Sequence, residues 1–320
     1  MSALIEAENL AKSFGSLKAV DGISLQVARG EVLGFLGPNG AGKSTTMRLI
    51  TGFLEPDAGR ASIAGHDVRE EPRRARMRLG YLPEGAPLYA EMTPKRFLTF
   101  IAQLRGYSGA EIGKRVGIAV DKAGLGPVLE QTIDTLSKGY KRRVGLAQAI
   151  LHDPEVLIMD EPTDGLDPNQ KHHVRQLIAE MAKEKAIIVS THILEEVEAV
   201  CTRAVVIDNG RIVADGTAEE LIRRLPYHGA VAIRLAADKA DALRMALALV
   251  PTIDKIETVG RANGQLHLRA LPKSGAGIAT EVAAAIRQKS IAVDEIYVER
   301  GKLDDVFRLI TTSDRSRGHA

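Results

Sequence analysis

Nine consecutive residues, Gly37, Pro38, Asn39, Gly40, Ala41, Gly42, Lys43, Ser44 and Thr45, constrain this chain more than any other stretch. They match the pattern G-x-x-x-x-G-K-[ST]. An apolar run at residues 32 to 36 precedes them and reads as a buried strand. Met47, Ile50 and Phe53 then recur at helical spacing over residues 43 to 53. Strand, glycine loop and helix in that order make a phosphate cradle. The glycines let successive backbone N–H groups turn towards phosphate oxygens, and the helix N-terminus adds partial positive charge. In such a cradle Lys43 reaches the β- and γ-phosphates and the Ser44 hydroxyl holds Mg²⁺.

Composition narrows the alternatives. Apolar residues make up 45% and charged residues 26% of 320, the balance of a globular chain able to bury one large core or two ordinary ones. The net charge of +2 gives no basic stripe, so no direct nucleic-acid partner is expected. Cys201 stands alone, which excludes an internal disulfide framework and fits a reducing compartment, with the thiol as a small buried hydrophobe. No apolar run reaches the roughly 18 residues of a membrane span, and the N-terminus lacks the pattern of a signal peptide. A cytoplasmic location is expected, with any membrane attachment made through a partner.

Residues 4 to 9 and 23 to 28 read as short strands, with Lys12, Ser13, Phe14 and Gly15 forming a turn whose one aromatic ring could stack on a base, although an isolated Phe in a chain with 4% aromatics is more often core. Residues 61 to 63 form a further short strand, and the densely charged residues 69 to 78 read as a solvated helix face. The strand Leu79-Gly80-Tyr81-Leu82 runs through Pro83 to a carboxylate, Glu84. From about residue 85 to 150 the periodicity turns helical, an insert between strands whose last helix opens at Leu136-Ser137-Lys138-Gly139-Tyr140.

Residues 156 to 161, VLIMDE, return to a continuous apolar run that ends in two carboxylates. That is the pattern of a central parallel strand whose C-terminal end faces a ligand crevice. Adjacent carboxylates there are costly without a cation, which assigns Asp160 to Mg²⁺ and Glu161 to orienting an attacking water. Thr163 to Pro168 read as a turn before a helix at residues 169 to 183. A strand at residues 186 to 189 then leads to Ser190-Thr191-His192 beside the same crevice, where His192 is in position to contact a γ-phosphate. Strands at 204 to 207 and 211 to 214, joined by the turn Asp208-Asn209-Gly210, complete the sheet.

Over about residues 3 to 225 these motifs resemble the nucleotide-binding subunits of ATP-binding cassette (ABC) transporters. The likeness rests on Phe14 at the A-loop, GPNGAGKST at Walker A, Glu84 at the Q-loop and LSKGY at the signature, then VLIMDE at Walker B, TDGLDP at the D-loop and His192 at the switch. It implies an α/β P-loop cassette with a RecA-like sheet core, an antiparallel β subdomain and a helical subdomain. It also implies ATP and Mg²⁺ as ligands, with Ser44, Glu84 and Asp160 on the metal, and a homodimer in the ATP-bound state. In that dimer Ser137 and Gly139 of one protomer close on the γ-phosphate held at Lys43 of the other. Glu161 then serves as base, His192 as sensor, and Asp167 couples the two sites. A separate integral membrane permease is the implied partner, docked near residues 84 to 107.

Two motifs depart from the family pattern: Glu84 stands where Gln is usual, and Lys138 and Tyr140 replace residues of the common LSGGQ. YLPE, LSKGY and RVGLAQAI are similar to the bacterial exporter subgroup with gliding-motility, drug-resistance and nodulation-type subunits, and GYLPEGAPLYAEMT looks most like the gliding-motility type. A soluble ABC ATPase acting on DNA or the ribosome is the alternative, but it needs two cassettes or a long coiled coil, and one P-loop and no sustained heptads are present. A silent nucleotide sensor would have lost Glu161 or His192.

Leu225 to Gly229 mark a boundary, giving a cassette at 1–225 and an accessory α+β domain at 226–311. There the elements read strand 230–235, helix 239–249, strand 253–259, a turn at Asn263-Gly264, strand 265–270, helix 278–288 and strand 292–298. This βαββαβ order is that of ferredoxin-like domains. A last amphipathic helix carries Leu303, Val306, Phe307 and Ile310, and residues 312–320 are expected to form a disordered tail.

Overall fold

The computed structural model describes residues 3–262, 264–273 and 277–315, and the side chains of this set up to 310. Contacts divide the chain into a unit ending at Ala218 and a unit beginning at Glu219.

The first unit holds two sheets. Strands β1 (Ala3–Phe14), β2 (Leu17–Ala28), β4 (Ala58–Ile63) and β5 (His66–Asp67) form an antiparallel sheet in the order β2-β1-β4-β5. The central sheet runs β10-β9-β3-β8-β7-β6, built from β3 (Val32–Leu36), β6 (Leu79–Leu82), β7 (Val156–Asp160), β8 (Ala186–Ser190), β9 (Arg203–Asp208) and β10 (Arg211–Gly216). Its strands are parallel except for β10, which turns back on β9 at Asn209-Gly210. Every residue of β3, β7 and β8 is buried, which accounts for the continuous apolar runs of these strands. Parallel order puts the C-terminal ends of β3, β7 and β8 on one edge, and Gly37, Asp160 and Ser190 with it.

Helices cover the sheet: α1 (Lys43–Ile50), α2 (Pro72–Arg78), α6 (Pro168–Ala182) and α7 (Leu194–Val200). The helical subdomain inserted between β6 and β7 contains α3 (Pro94–Leu104), α4 (Ala110–Ala123) and α5 (Lys138–Ile150). Phe97, Val116, Val120, Val144 and Leu146 bury their faces in one core together with Leu157 of β7. The contact between α5 and β6 is close: a Cβ on Gly80 would lie 2.2 Å from the Ala149 carbonyl oxygen, so only glycine fits there.

Several boundaries differ from the sequence reading. β1 and β2 are each twelve residues long, because bulges at Ala7/Leu10 and Lys12/Ser13 break the alternation that marks a strand in sequence. Phe14 therefore ends a strand, and the turn follows it at Gly15. Helix α1 stops at Ile50, and Phe53 lies beyond it with 76% of its surface exposed instead of packed on the helix face. Helix α7 was not anticipated.

His152, at the end of α5, is buried and held by an Nε2 hydrogen bond of 3.0 Å to the Leu79 carbonyl. Burial, reinforced by the nearby Arg105, pulls its pKa from 6.5 down to about 4. A histidine depressed in the folded state withholds a proton that the unfolded chain accepts. Its contribution is intact above pH 6.5 and is lost as pH falls towards 4, by about 2 kcal/mol already at pH 5. The urea midpoint of wild type is thus expected to fall more steeply between pH 7.5 and 5 than that of His152→Gln. Parallel declines would show that His152 does not titrate on unfolding.

The second unit opens with α8 (Ala218–Ile222), divided from the first within that helix. It continues as β11 (Ala230–Ala236), α9 (Ala240–Ala248), β12 (Ile253–Ala262), β13 (Gln265–Pro272), α10 (Ala279–Gln288), β14 (Glu295–Glu299) and α11 (Leu303–Arg315). The sheet order β12-β13-β11-β14, antiparallel throughout, is the ferredoxin-like one. Leu243, Leu247, Val282 and Ile286 of the two helices share a core with Val231, Ile233 and Leu268. The last strand begins at Glu295, three residues later than its apolar start suggests. Of the anticipated turn, Asn263 lies outside the described residues. Helix α11 buries Leu303 and Val306 and runs to Arg315, past the expected start of the tail, and residues 316–320 lie outside the described set.

Candidate functional site

The glycine loop is held from both sides. The Gly210 amide donates to the Ala41 carbonyl at 2.9 Å, and the Asp21 amide donates to the Gly210 carbonyl at 2.8 Å. Gly42 adopts φ +105°, and a Cβ there would stand 2.4 Å from the Ala19 carbonyl oxygen, so glycine is required twice over at this position. Lys43 is buried and donates to two carbonyls of its own loop, Gly37 at 2.6 Å and Pro38 at 3.0 Å. Burial lowers its pKa, while Glu161, Asp160 and Glu84 act in the opposite direction. Its ammonium thus sits in the field of all three carboxylates.

Asp160 closes β7 and is 2% exposed. It accepts a short hydrogen bond from the Ser190 hydroxyl, and no ion pair among the described residues reaches it. Glu161 follows in a left-handed conformation, φ 53°, fixed by its amide donating to the Ser190 carbonyl at 3.1 Å and to the Ser190 hydroxyl at 3.2 Å. That bend directs the carboxylate to His192, whose Nδ1 lies 3.0 Å from both Glu161 oxygens. Burial raises the Glu161 pKa, with His192 partly opposing it. His192 itself remains largely open to solvent.

Glu84 and Glu161 line a cavity of about 380 Å³ together with Lys138, Arg142 and Asp164. Arg142, on α5, is buried and donates from Nη1 to the Pro83 carbonyl at 2.7 Å, fastening the signature helix to the residue before Glu84. Burial lowers the Arg142 pKa, while the carboxylates of Asp160, Asp164, Glu161 and, least, Glu84 act in the opposite direction. Lys138 pairs with Asp164 at 2.7 Å on the exposed rim, a contact worth little to stability.

Ser137 caps α5, its hydroxyl accepting from the Tyr140 amide at 3.3 Å. Gly139 lies against the D-loop: a Cβ would meet Gln170 Oε1 at 2.9 Å and the Gly165 carbonyl at 3.1 Å. Asp167 caps α6, accepting from the Gln170 amide at 2.9 Å. No hydrogen bond among the described residues joins Ser137 or Gly139 to residues 37–45 of the same chain. Ser44 and Thr45 are half-buried in the first turn of α1. Phe14 presents an exposed ring, with Lys12 Nζ 6.0 Å from its centroid.

Sequence reasoning missed three participants. Ser190 fixes both Asp160 and Glu161, Arg142 holds the Pro83 carbonyl, and the buried carboxylate of Glu196 joins Thr163 to Thr191. Ser190 had a signal in its place just before Thr191-His192. Glu196 had none, because nothing in LEEVE distinguishes it from the exposed Glu195 and Glu198.

The donors present fit Mg²⁺. A serine hydroxyl and carboxylates are hard oxygen ligands, and Asp160 is a buried anion that makes no direct ion pair among the described residues, although Lys43 and Arg142 lie within its field. No cluster of three or more acidic, His or Cys residues among the described residues forms a metal cage by itself. That agrees with an ion taken up mainly through phosphate and water.

A strand, phosphate loop and helix with a carboxylate pair ending the central strand define a P-loop nucleotide-hydrolysing site. The ABC transporter family pattern matches residues 20–164. The chain is 37% identical over 69% of its length to the linearmycin resistance ATP-binding protein of Bacillus subtilis (strain 168), covering 72% of that protein. It is 36% identical over 97% of both chains to a Nod factor export ATP-binding protein of Paraburkholderia xenovorans (strain LB400). Among solved structures, the ATP-binding subunit of an ABC transporter superposes with a TM-score of 0.64 at 35% identity, over 69% of this chain and 92% of that one. The chain belongs to the ABC transporter family as an ATP-binding, ATP-hydrolysing subunit.

Proposed function

We propose that this chain is the motor subunit of an exporter, working as a pair of head-to-tail cassettes beneath a separate membrane permease. The observation that carries hydrolysis, beyond binding alone, is the Glu161–His192 contact at the end of β7. It presents a half-buried, partly desolvated carboxylate beside the phosphate loop. Loop amides and Lys43 hold the triphosphate, and the ring of Phe14 stacks on the base. Glu161 accepts the proton of the attacking water, the water oxygen bonds to the γ-phosphorus, and the bond to the β-phosphate oxygen breaks to release ADP. His192 senses the γ-phosphate. Ser44, Asp160 and Glu84 would hold Mg²⁺, which withdraws charge from the phosphate oxygens when bound. Ser137 and Gly139 act on the partner protomer's nucleotide, and Asp167 couples the two sites. The drug-resistance and Nod-factor-export names of the relatives support an exporter.

The permease contact is assigned to a groove of about 530 Å³ lined by Arg48, Phe53, Arg76, Tyr81, Pro87 and Arg105. An exposed aromatic and three arginines suit a short helix with an apolar anchor and a carboxylate. No helix among the described residues is long and apolar enough to cross a membrane, so on this reading the chain reaches the inner face of the cell membrane through that contact. Losing a buried Phe costs about 1.5–3 kcal/mol. Phe53→Asp is therefore expected to lower recovery of a polytopic membrane protein with the tagged chain by roughly tenfold or more. Equal recovery with the folded variant would place the contact elsewhere.

A further inference from the structure

Glu196, the third residue of α7, is 5% exposed and lies on the buried face of that helix with Leu194 and Val197, while Glu195 and Glu198 are exposed. Its two oxygens are shared among three segments. Oε2 accepts from the Thr163 hydroxyl at 2.5 Å and from the Thr191 hydroxyl at 3.1 Å. Oε1 accepts from Lys171 Nζ at 3.2 Å and faces Arg175 Nη2 at 3.6 Å. Thr163 lies two residues after Glu161 and Thr191 one residue before His192. Lys171 and Arg175 stand on α6, the helix capped by Asp167. A single carboxylate thus bonds the backbone segments that carry the base, the γ-phosphate sensor and the D-loop.

We propose that Glu196 is a positioning residue for hydrolysis: it sets the distance between Glu161 and His192 and ties that distance to the position of the D-loop. The inference rests on the roles given above to Glu161 and His192. The chemistry demands a carboxylate. Four donors converge on it, two hydroxyls on one oxygen and two cations on the other, and only an acceptor with two equivalent anionic oxygens satisfies both sides. Gln serves the hydroxyls or the cations but not both, since its amide nitrogen donates. With Glu196 in place, a shift of α6 as the second protomer meets the D-loop pulls on Thr163 and Thr191 through the same carboxylate, from Oε1 to Oε2. An empty site and a closed one then differ in how Glu161 and His192 are aligned.

The test is steady-state hydrolysis alongside equilibrium binding of ATP to the full chain. Glu196→Gln is expected to lower kcat on the order of tenfold or more, since small misplacements of reacting groups carry such factors. The Kd for ATP should stay within about twofold, because the loop residues 37–45 are not in the network. Thr163→Val should reproduce this split, and Thr163→Ser, which keeps the hydroxyl, should recover most of the turnover. Should Glu196→Gln fail to fold, the Thr163 pair decides the matter. Unchanged kcat in folded Glu196→Gln and Thr163→Val overturns the proposal. So does a loss of kcat that Thr163→Ser shares in full, or one matched by an equal loss of ATP affinity, since either would mark a general loosening of the fold. A wild-type chain whose turnover survives Glu161→Gln would instead overturn the underlying reading, and this inference with it.

Discussion

Lys43→Ala is expected to abolish ATP binding at millimolar nucleotide. The ammonium is the one cation buried inside the glycine loop, and it performs two tasks. Without nucleotide it satisfies the carbonyls of Gly37 and Pro38, holding the loop in its curled form. With nucleotide it is the point charge that meets the β- and γ-phosphates. Charge-assisted hydrogen bonds are worth about 1.5–3 kcal/mol each, so losing two costs at least ~100-fold in affinity. The variant also leaves Asp160, Glu161 and Glu84 without the cation whose field they share, and repulsion of the triphosphate by those carboxylates adds to the loss. Titration with a fluorescent ATP analogue measures the effect. Affinity within a few-fold of wild type would remove Lys43, and with it the phosphate loop, from the nucleotide site.

Glu161→Gln should separate binding from chemistry. Gln keeps the volume and accepts a hydrogen bond from His192, but it takes no proton from water. General bases contribute about 10²–10⁴-fold, and kcat is expected to fall by that factor while ATP affinity holds. The variant should also be more stable than wild type at neutral pH. A carboxyl whose folded pKa is raised by burial favours folding below its unfolded pKa and loses that contribution as pH rises through the folded value, so near neutrality its charge is a burden. Single-turnover hydrolysis and a melting curve check both halves. Undiminished turnover would move the base to another residue.

The elements that position this site were legible where hydrophobic pattern and special backbone geometry coincide. β3, and β7 up to Asp160, carry continuous apolar runs because both faces of a central strand are covered, and Gly42 is glycine because neither its φ nor the Ala19 carbonyl leaves room for a Cβ. The βαββαβ order of the second unit was legible for the same reason, since each helix shows one apolar face. Legibility failed where a residue's role depends on a partner distant in sequence. Nothing in the order of residues says that Glu196 points inward to Thr163, 33 positions away, or that Arg142 reaches Pro83 across 59. The lengths of β1 and β2 were obscured by bulges, and Phe53 fitted a helical spacing that its backbone does not continue.

In the proposed mechanism two copies of this chain close on ATP, with Ser137 and Gly139 of each completing the other's site. Sedimentation of Glu161→Gln at saturating ATP and Mg²⁺ tests this most directly, because the variant binds without consuming the nucleotide. A dimer that forms only with ATP, and that reverts to monomer when Ser137→Arg is added, is the predicted result. A monomer under those conditions, with ATP shown to be bound, would contradict the paired-cassette mechanism.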